Sequence, residues 1–214
     1  MSDTLFDTAE FQQALYNEGK DAFQAIMQQH GDDLYVIGLY HFGNFDALMP
    51  MFNTCTALKE VQDQAAEGST GDDNVFIRCS VKWNPSDYPM LETYSGHFEK
   101  TEQALRKLKA TMETRQDACD QELQRGWQQL LSAMEQVLRR LDRDGVFLTD
   151  VGRQNLVVSI ATYDELEAIQ FERIKRLNPR PVVDSIRDEF EILISTREKI
   201  EKAALTQLQF NNDS

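Results

Sequence analysis

Cysteine, histidine and long apolar runs are all scarce in this chain. Three cysteines in 214 residues, Cys55, Cys79 and Cys119, are widely spaced and form no CxxC pair. An odd, scattered set argues against a disulfide framework or a zinc knuckle and for small buried hydrophobes. The three histidines, His30, His41 and His97, share no ligand spacing. No apolar stretch approaches the roughly 18 to 20 residues that a membrane helix needs. The opening MSDTLFDTAEF is acidic and lacks the basic-then-apolar order of a signal peptide, so a cytoplasmic location is expected. GxSxG, HExxH, GxxxxGK[ST] and GxGxxG are missing as well, which removes the usual hydrolase, metalloprotease and nucleotide signatures. No cofactor and no metal are expected.

Positive charge is the other shortage, above all at the start. Residues 1–73 hold thirteen acids and only two bases, Lys20 and Lys59, a net of −11 out of −14 for the whole chain. Such a balance repels nucleic acid and anionic membranes, whose binders carry Lys/Arg patches. With 41% hydrophobic and 27% charged residues, a packed core is expected, within one domain spanning 1–214.

Periodicity places a first helix over about 7–29, with Asp7 and Glu10 at capping-box spacing and Gly19 a point where it could divide. LYVIGLYHF, from Leu34 to Phe42, is apolar on both alternations, as a strand covered on both faces would be. A loop through Gly43, Asn44 and Pro50 leads to a helix capped by Asn53 or Thr54 and ending near Glu67. GSTGDDN (68–74) reads as an exposed turn and VFIRCSVKW (75–83) as a strand, broken by NPSDYP (84–89).

Residues 95–142 read helical without an interrupting proline. One such helix would span about 70 Å, so a break near 115–120 making a helical hairpin is expected. Asp144-Gly145 turns the chain into a short strand at 146–148, and LVVSIAT (156–162) gives another. Asp164 with Glu167 can cap the next helix, which stops before Pro179; a long C-terminal helix carries Val183, Ile186, Phe190, Leu193, Ile200, Ala204 and Leu208 on one stripe. The fold class expected is α+β: a mixed or antiparallel sheet of about four strands layered with about six helices.

Each candidate for chemistry meets a simpler explanation. A Cys-His nucleophilic pair is conceivable, but Cys79 lies in a predicted strand and neither Cys55 nor Cys119 opens a catalytic motif. Asp142-Arg143-Asp144-Gly145 imitates part of a calcium loop, yet Arg140 and Val151 would occupy its first and last ligand positions. The pairs Asp32-Asp33 and Asp72-Asp73 read as solvated turn residues. Trp83 and Tyr88 flank a proline-containing loop, where aromatic rings commonly cover the end of a core or serve recognition.

Several phrases in order, YVIGLY (35–40), Asn53-Thr54 with Leu58, WNPSDYP (83–89), DGVF (144–147) and LNP (177–179), resemble an uncharacterised bacterial family, domain of unknown function 4303. The resemblance spans most of the chain and supplies no catalytic residues. It implies a bacterial, cytosolic, α+β protein, similar in style to the small acidic immunity proteins encoded beside secreted toxins.

The function expected is therefore non-enzymatic: an immunity protein neutralising a basic partner such as a secreted bacterial toxin through an acidic surface. Asp32, Asp33, Asp46, Asp72 and Asp73, in predicted turns, together with Trp83 and Tyr88, are the expected partner-binding residues. An enzyme with an unrecognised site and a scaffold pairing through the 95–142 hairpin are the alternatives, and the acids could serve solubility alone.

Overall fold

The computed structural model describes residues 7–42, 47–113, 120–148, 153, 155–162 and 165–212. Helix α1 (Ala9–His30) runs unbroken through Gly19. A Cβ there would lie 3.4 Å from Phe23 and 3.5 Å from Leu141, ordinary van der Waals contact, so Gly19 is a packed position facing Leu141 and does not divide the helix. Asp7 accepts from the Ala9 N–H at 2.9 Å, giving the first turn a partner for one of its orphan donors.

Strand β1 (Leu34–His41) is the centre of a three-stranded sheet ordered β2-β1-β3 and is buried along its whole length. It pairs antiparallel with β2 (Leu48–Thr54) and parallel with β3 (Val157–Thr162). β2 lies where Pro50 suggested a loop. Proline lacks the N–H that a central strand would need but is tolerated at a sheet edge, and Pro50 sits on this edge strand opposite Leu39. Gly38 permits the β1–β3 approach: a Cβ at that position would lie 1.8 Å from the Ser159 carbonyl oxygen.

The segment 75–83, expected as a strand, belongs instead to helix α3 (Gly71–Trp83), which packs on α2 (Cys55–Ala65). Its apolar residues at 75, 77, 79, 81 and 83 alternate, but alternation also contains the four-residue spacing of a helix face. Asp72 and Asp73 in its first turn and Lys82 in its last oppose the macrodipole with the right signs. Thr54 caps α2 by accepting from Ala57 N–H at 3.1 Å.

The expected hairpin resolves into α4 (Glu99–Glu113) and α5 (Asp120–Arg143), each packed on α1. Residues 146–148 form no strand; they finish the C-cap of α5. Gly145 at φ +79°, with Val146 N–H bonded to Leu141 O at 3.0 Å, closes a Schellman-type turn, and Val146 and Phe147 then enter the core. Helices α6 (Glu167–Leu177) and α7 (Arg180–Asn212) follow β3; the expected cap Asp164 lies outside the described residues.

The result is an α+β protein with, among the described residues, seven helices and a three-strand mixed sheet, against the four strands and six helices expected. Ile37, Leu39, Phe52, Val158 and Ile160 face α1, α4 and α5. Val36, Tyr40, Met51, Val157 and Ala161 face α2, α3, α6 and α7, which accounts for the apolar character of β1 on both alternations. No helix among the described residues is long and apolar enough to cross a membrane.

Candidate functional site

The acidic first third is divided by the fold. Asp32 and Asp33 form a single 3-10 turn after α1; Asp32 is exposed, and Asp33 accepts from Thr56 N–H at 3.3 Å at the start of α2. Asp72 and Asp73 are exposed in the first turn of α3, beside Glu67 in the α2–α3 turn. The 11 residues of α2 separate the two groups by about 16 Å along its axis. Asp46 lies outside the described residues.

Three other early acids are consumed within the molecule. Glu18 accepts from the backbone N–H groups of Lys100 and Thr101, both at 2.8 Å, and so caps α4, where a carboxylate is favoured. Glu10 pairs with Lys107, and Asp63 with Arg78 at 2.9 Å. Among the described residues, no lysine or arginine pairs with Asp32, Glu67, Asp72 or Asp73. Asp7, Asp21 and Glu60 are likewise exposed without a basic partner among the described residues, and the α2–α3 turn is where three such acids, Glu67, Asp72 and Asp73, fall within seven residues of one another.

Trp83 and Tyr88 are buried, at 3% and 5% exposure, leaving no open ring for a partner. Trp83 donates its indole N–H to Glu189 on α7 at 2.7 Å, and the hydroxyls of Tyr88 and Tyr35 both donate to Lys82 O at 2.9 Å. Burial pushes both tyrosine hydroxyls well above their ordinary range, so they stay protonated as donors. The loop they flank fastens α3 to α7 and to β1.

Nucleophilic chemistry at the cysteines has no support from their surroundings. Burial pushes both the Cys55 and Cys79 thiols up, the opposite of the depression that makes a thiolate available. Cys119 lies outside the described residues. The histidines each stack or tilt against an aromatic ring: His30 on Phe52, His41 on Trp127 and His97 on Tyr94.

Sequence reasoning did not anticipate a polar cleft of about 380 Å³ at the carboxyl ends of the parallel strands β1 and β3. Its walls include Trp83 and Ser86 from the α3 end, Thr162 from β3, Glu165, Glu167 and Gln170 around the start of α6, and Arg197 from α7. Behind it, Arg173 is 2% exposed; its guanidinium grips Glu165 through two bonds, 2.5 and 2.8 Å, and also donates to Ile160 O at 2.7 Å. Arg197 holds Glu167 in the same bidentate manner, both bonds 2.5 Å. The signal available in the sequence was slight: Gln170 and Arg173 fall on the buried stripe of α6 with Phe171, Ile174 and Leu177.

His41 closes the neighbouring strand end. Its Nδ1 meets Phe42 O, which can only accept, so Nδ1 carries the proton and Nε2 accepts from the Thr162 hydroxyl at 2.6 Å. Burial lowers the imidazole pKa to about 4, keeping it neutral.

The phrases that carry the family resemblance have structural roles throughout. Asn178 of LNP clamps the outer edge of β3 as a strand partner would, accepting from Val158 N–H at 2.8 Å and donating to Val158 O at 2.7 Å. No curated protein and no solved structure matches the chain. The family described as a domain of unknown function (DUF4303) matches residues 15–179, from the middle of α1 to the end of LNP, and the chain belongs to that family.

Proposed function

We propose that this protein is a non-enzymatic, cytoplasmic binding protein that engages a basic protein through the acidic α2–α3 turn, as a bacterial immunity protein engages its toxin. The observation that carries this reading is the set Glu67, Asp72 and Asp73, three exposed acids within seven residues of one another and without a basic partner among the described residues. Unpaired surface charge of one sign steers a partner of opposite charge and speeds its encounter. A nuclease, whose own cleft must attract phosphate, is the kind of toxin such a surface suits. The competing scaffold reading needs an open apolar stripe on α4 and α5. Leu105, Leu130, Met134, Leu138 and Leu141 are instead spent in the core.

The test is affinity capture from the native host with the wild-type chain and with Glu67→Gln/Asp72→Asn/Asp73→Asn, followed by co-expression with whatever basic protein is captured. Neutral amides keep the size of each side chain and avoid placing lysines at the positive end of α3. The expected result is a basic protein held by the wild type, released as salt shortens the screening length, and not held by the triple variant. Its toxicity should be suppressed by the wild-type chain. The reading fails if nothing basic is captured, if the triple variant captures it equally, or if the captured protein harms cells just as much with this chain present.

A further inference from the structure

The cleft at the carboxyl ends of β1 and β3 has no part in the acidic turn, and its volume of about 380 Å³ lies within the range of small-molecule sites. Ligands of open α/β sheets gather outside the carboxyl ends of parallel strands, because the adjoining loops and helix starts leave polar groups facing a crevice there. Thr162 and His41, last in β3 and β1, mark that end here.

Gln170 supplies the observation that points to a ligand. It is 7% exposed and lines the cleft. Its amide nitrogen must face Trp83 O, since a carbonyl only accepts, and the bond measures 3.1 Å. That fixes the orientation of the amide, and among the described residues no donor meets its oxygen. With its nitrogen so engaged and no protein donor on its oxygen, the amide leaves that oxygen open to a donor offered from the cleft.

Charge defines the ligand further. Both oxygens of Glu165 are held by Arg173 and both oxygens of Glu167 by Arg197, so the charges of the cleft cancel in pairs. An anion would face two carboxylates, and a cation would have to break a bidentate pair. What remains for recognition is the Gln170 carbonyl with the hydroxyls of Ser80, Ser86 and Thr162, the last already donating to His41 and so presenting lone pairs. Such a lining suits a molecule offering several O–H donors and no net charge.

We propose that this cleft binds a small uncharged polyhydroxyl compound, of monosaccharide or cyclitol size, with the Gln170 carbonyl accepting one of its hydroxyl protons. The full chain, isotopically labelled, is titrated with D-glucose, D-ribose and myo-inositol, and in parallel with glucose 6-phosphate and glucosamine. The expected result is saturable binding of at least one neutral compound below about 10 mM, with amide shifts centred on Ser86, Thr162 and Gln170. Loss of one hydrogen bond in Gln170→Met should weaken it about tenfold, while Ser80→Ala, which leaves the Trp83 contact intact, should weaken it less and provides the measurement if the first variant misfolds. The proposal is overturned if no neutral compound saturates, if a charged analogue binds more tightly, or if neither variant alters the affinity. Capture of a basic protein by the acidic turn is unaffected by any of these outcomes.

Discussion

Replacing Asn178 with alanine removes the side chain that closes the outer edge of β3. In the native protein Asn178 Oδ1 accepts from Val158 N–H and from Arg153, at 2.8 and 3.1 Å, while its Nδ2 donates to Val158 O and Ile174 O, at 2.7 and 2.8 Å. Two of these groups keep other partners: Ile174 O retains the Asn178 backbone N–H, and Arg153 retains Asp142. The N–H and C=O of Val158, a residue 1% exposed, do not. Each orphaned buried group is unfavourable by about 1 to 3 kcal/mol, and water entering the vacated space recovers part of that, so the loss is about 2 to 4 kcal/mol. For a chain of this size the melting temperature should fall by on the order of 5 to 15 °C. Urea unfolding followed by circular dichroism measures it, with the m-value unchanged. Asn178→Asp separates hydrogen bonding from packing. It preserves shape and acceptors but sets an oxygen against Val158 O, so it too should destabilise. An alanine loss below about 0.5 kcal/mol, or an aspartate variant as stable as the wild type, would refute the account of how the sheet is closed.

Two further outcomes follow from the same strand pair. Gly38→Ala places a methyl group 1.8 Å from the Ser159 backbone oxygen, so β1 and β3 cannot keep their register; a loss of about 4 kcal/mol or more is expected. Soluble expression and circular dichroism read it, against Gly31→Ala, whose added methyl meets nothing within 4 Å. His41 makes stability depend on pH: its pKa is lowered from 6.5 to about 4 in the fold, so the unfolded chain takes up the proton first as pH falls. The stabilisation is complete above about pH 6.5 and declines by on the order of 3 kcal/mol toward pH 4. His41→Gln should flatten that part of a stability-against-pH curve; an unchanged slope would show that other groups produce it.

The elements legible in the sequence were those whose pattern is local. β1, β3, α1 and α7 announce themselves by composition or stripe. α3 did not, because a run apolar at every second position satisfies both a strand and a four-residue helical spacing. Only contact with α2 and α7 decides between them. β2 was hidden by Pro50, whose tolerance depends on being at an edge, a property of the sheet and not of the segment. The polar cleft was less legible still. Gln170 and Glu165 acquire meaning only when Trp83 O and Arg173, 87 and 8 residues away along the chain, are brought against them.

Segment charge misleads for a related reason. The −11 of residues 1–73 suggested one acidic surface, but a carboxylate acts on a partner only with the charge left after its own neighbours have taken their share. Glu10 and Asp63 are answered by Lys107 and Arg78, and Glu18 is committed to the start of α4. An exposed pair contributes little to stability, yet it removes a charge from the field at long range as effectively as a buried one. The exposed remainder includes Asp7, Asp21 and Glu60 as well as Asp32 and the α2–α3 turn; the last two lie toward opposite ends of α2, about 16 Å apart along its axis and thus beyond a Debye length of about 8 Å at physiological salt. At that salt the two groups act separately, so Asp32→Asn alone should leave capture of a basic partner by the α2–α3 turn nearly unchanged. As the salt is lowered and the screening length overtakes the separation, the same substitution should begin to slow association. A single contiguous patch would instead make Asp32 matter equally at every salt concentration.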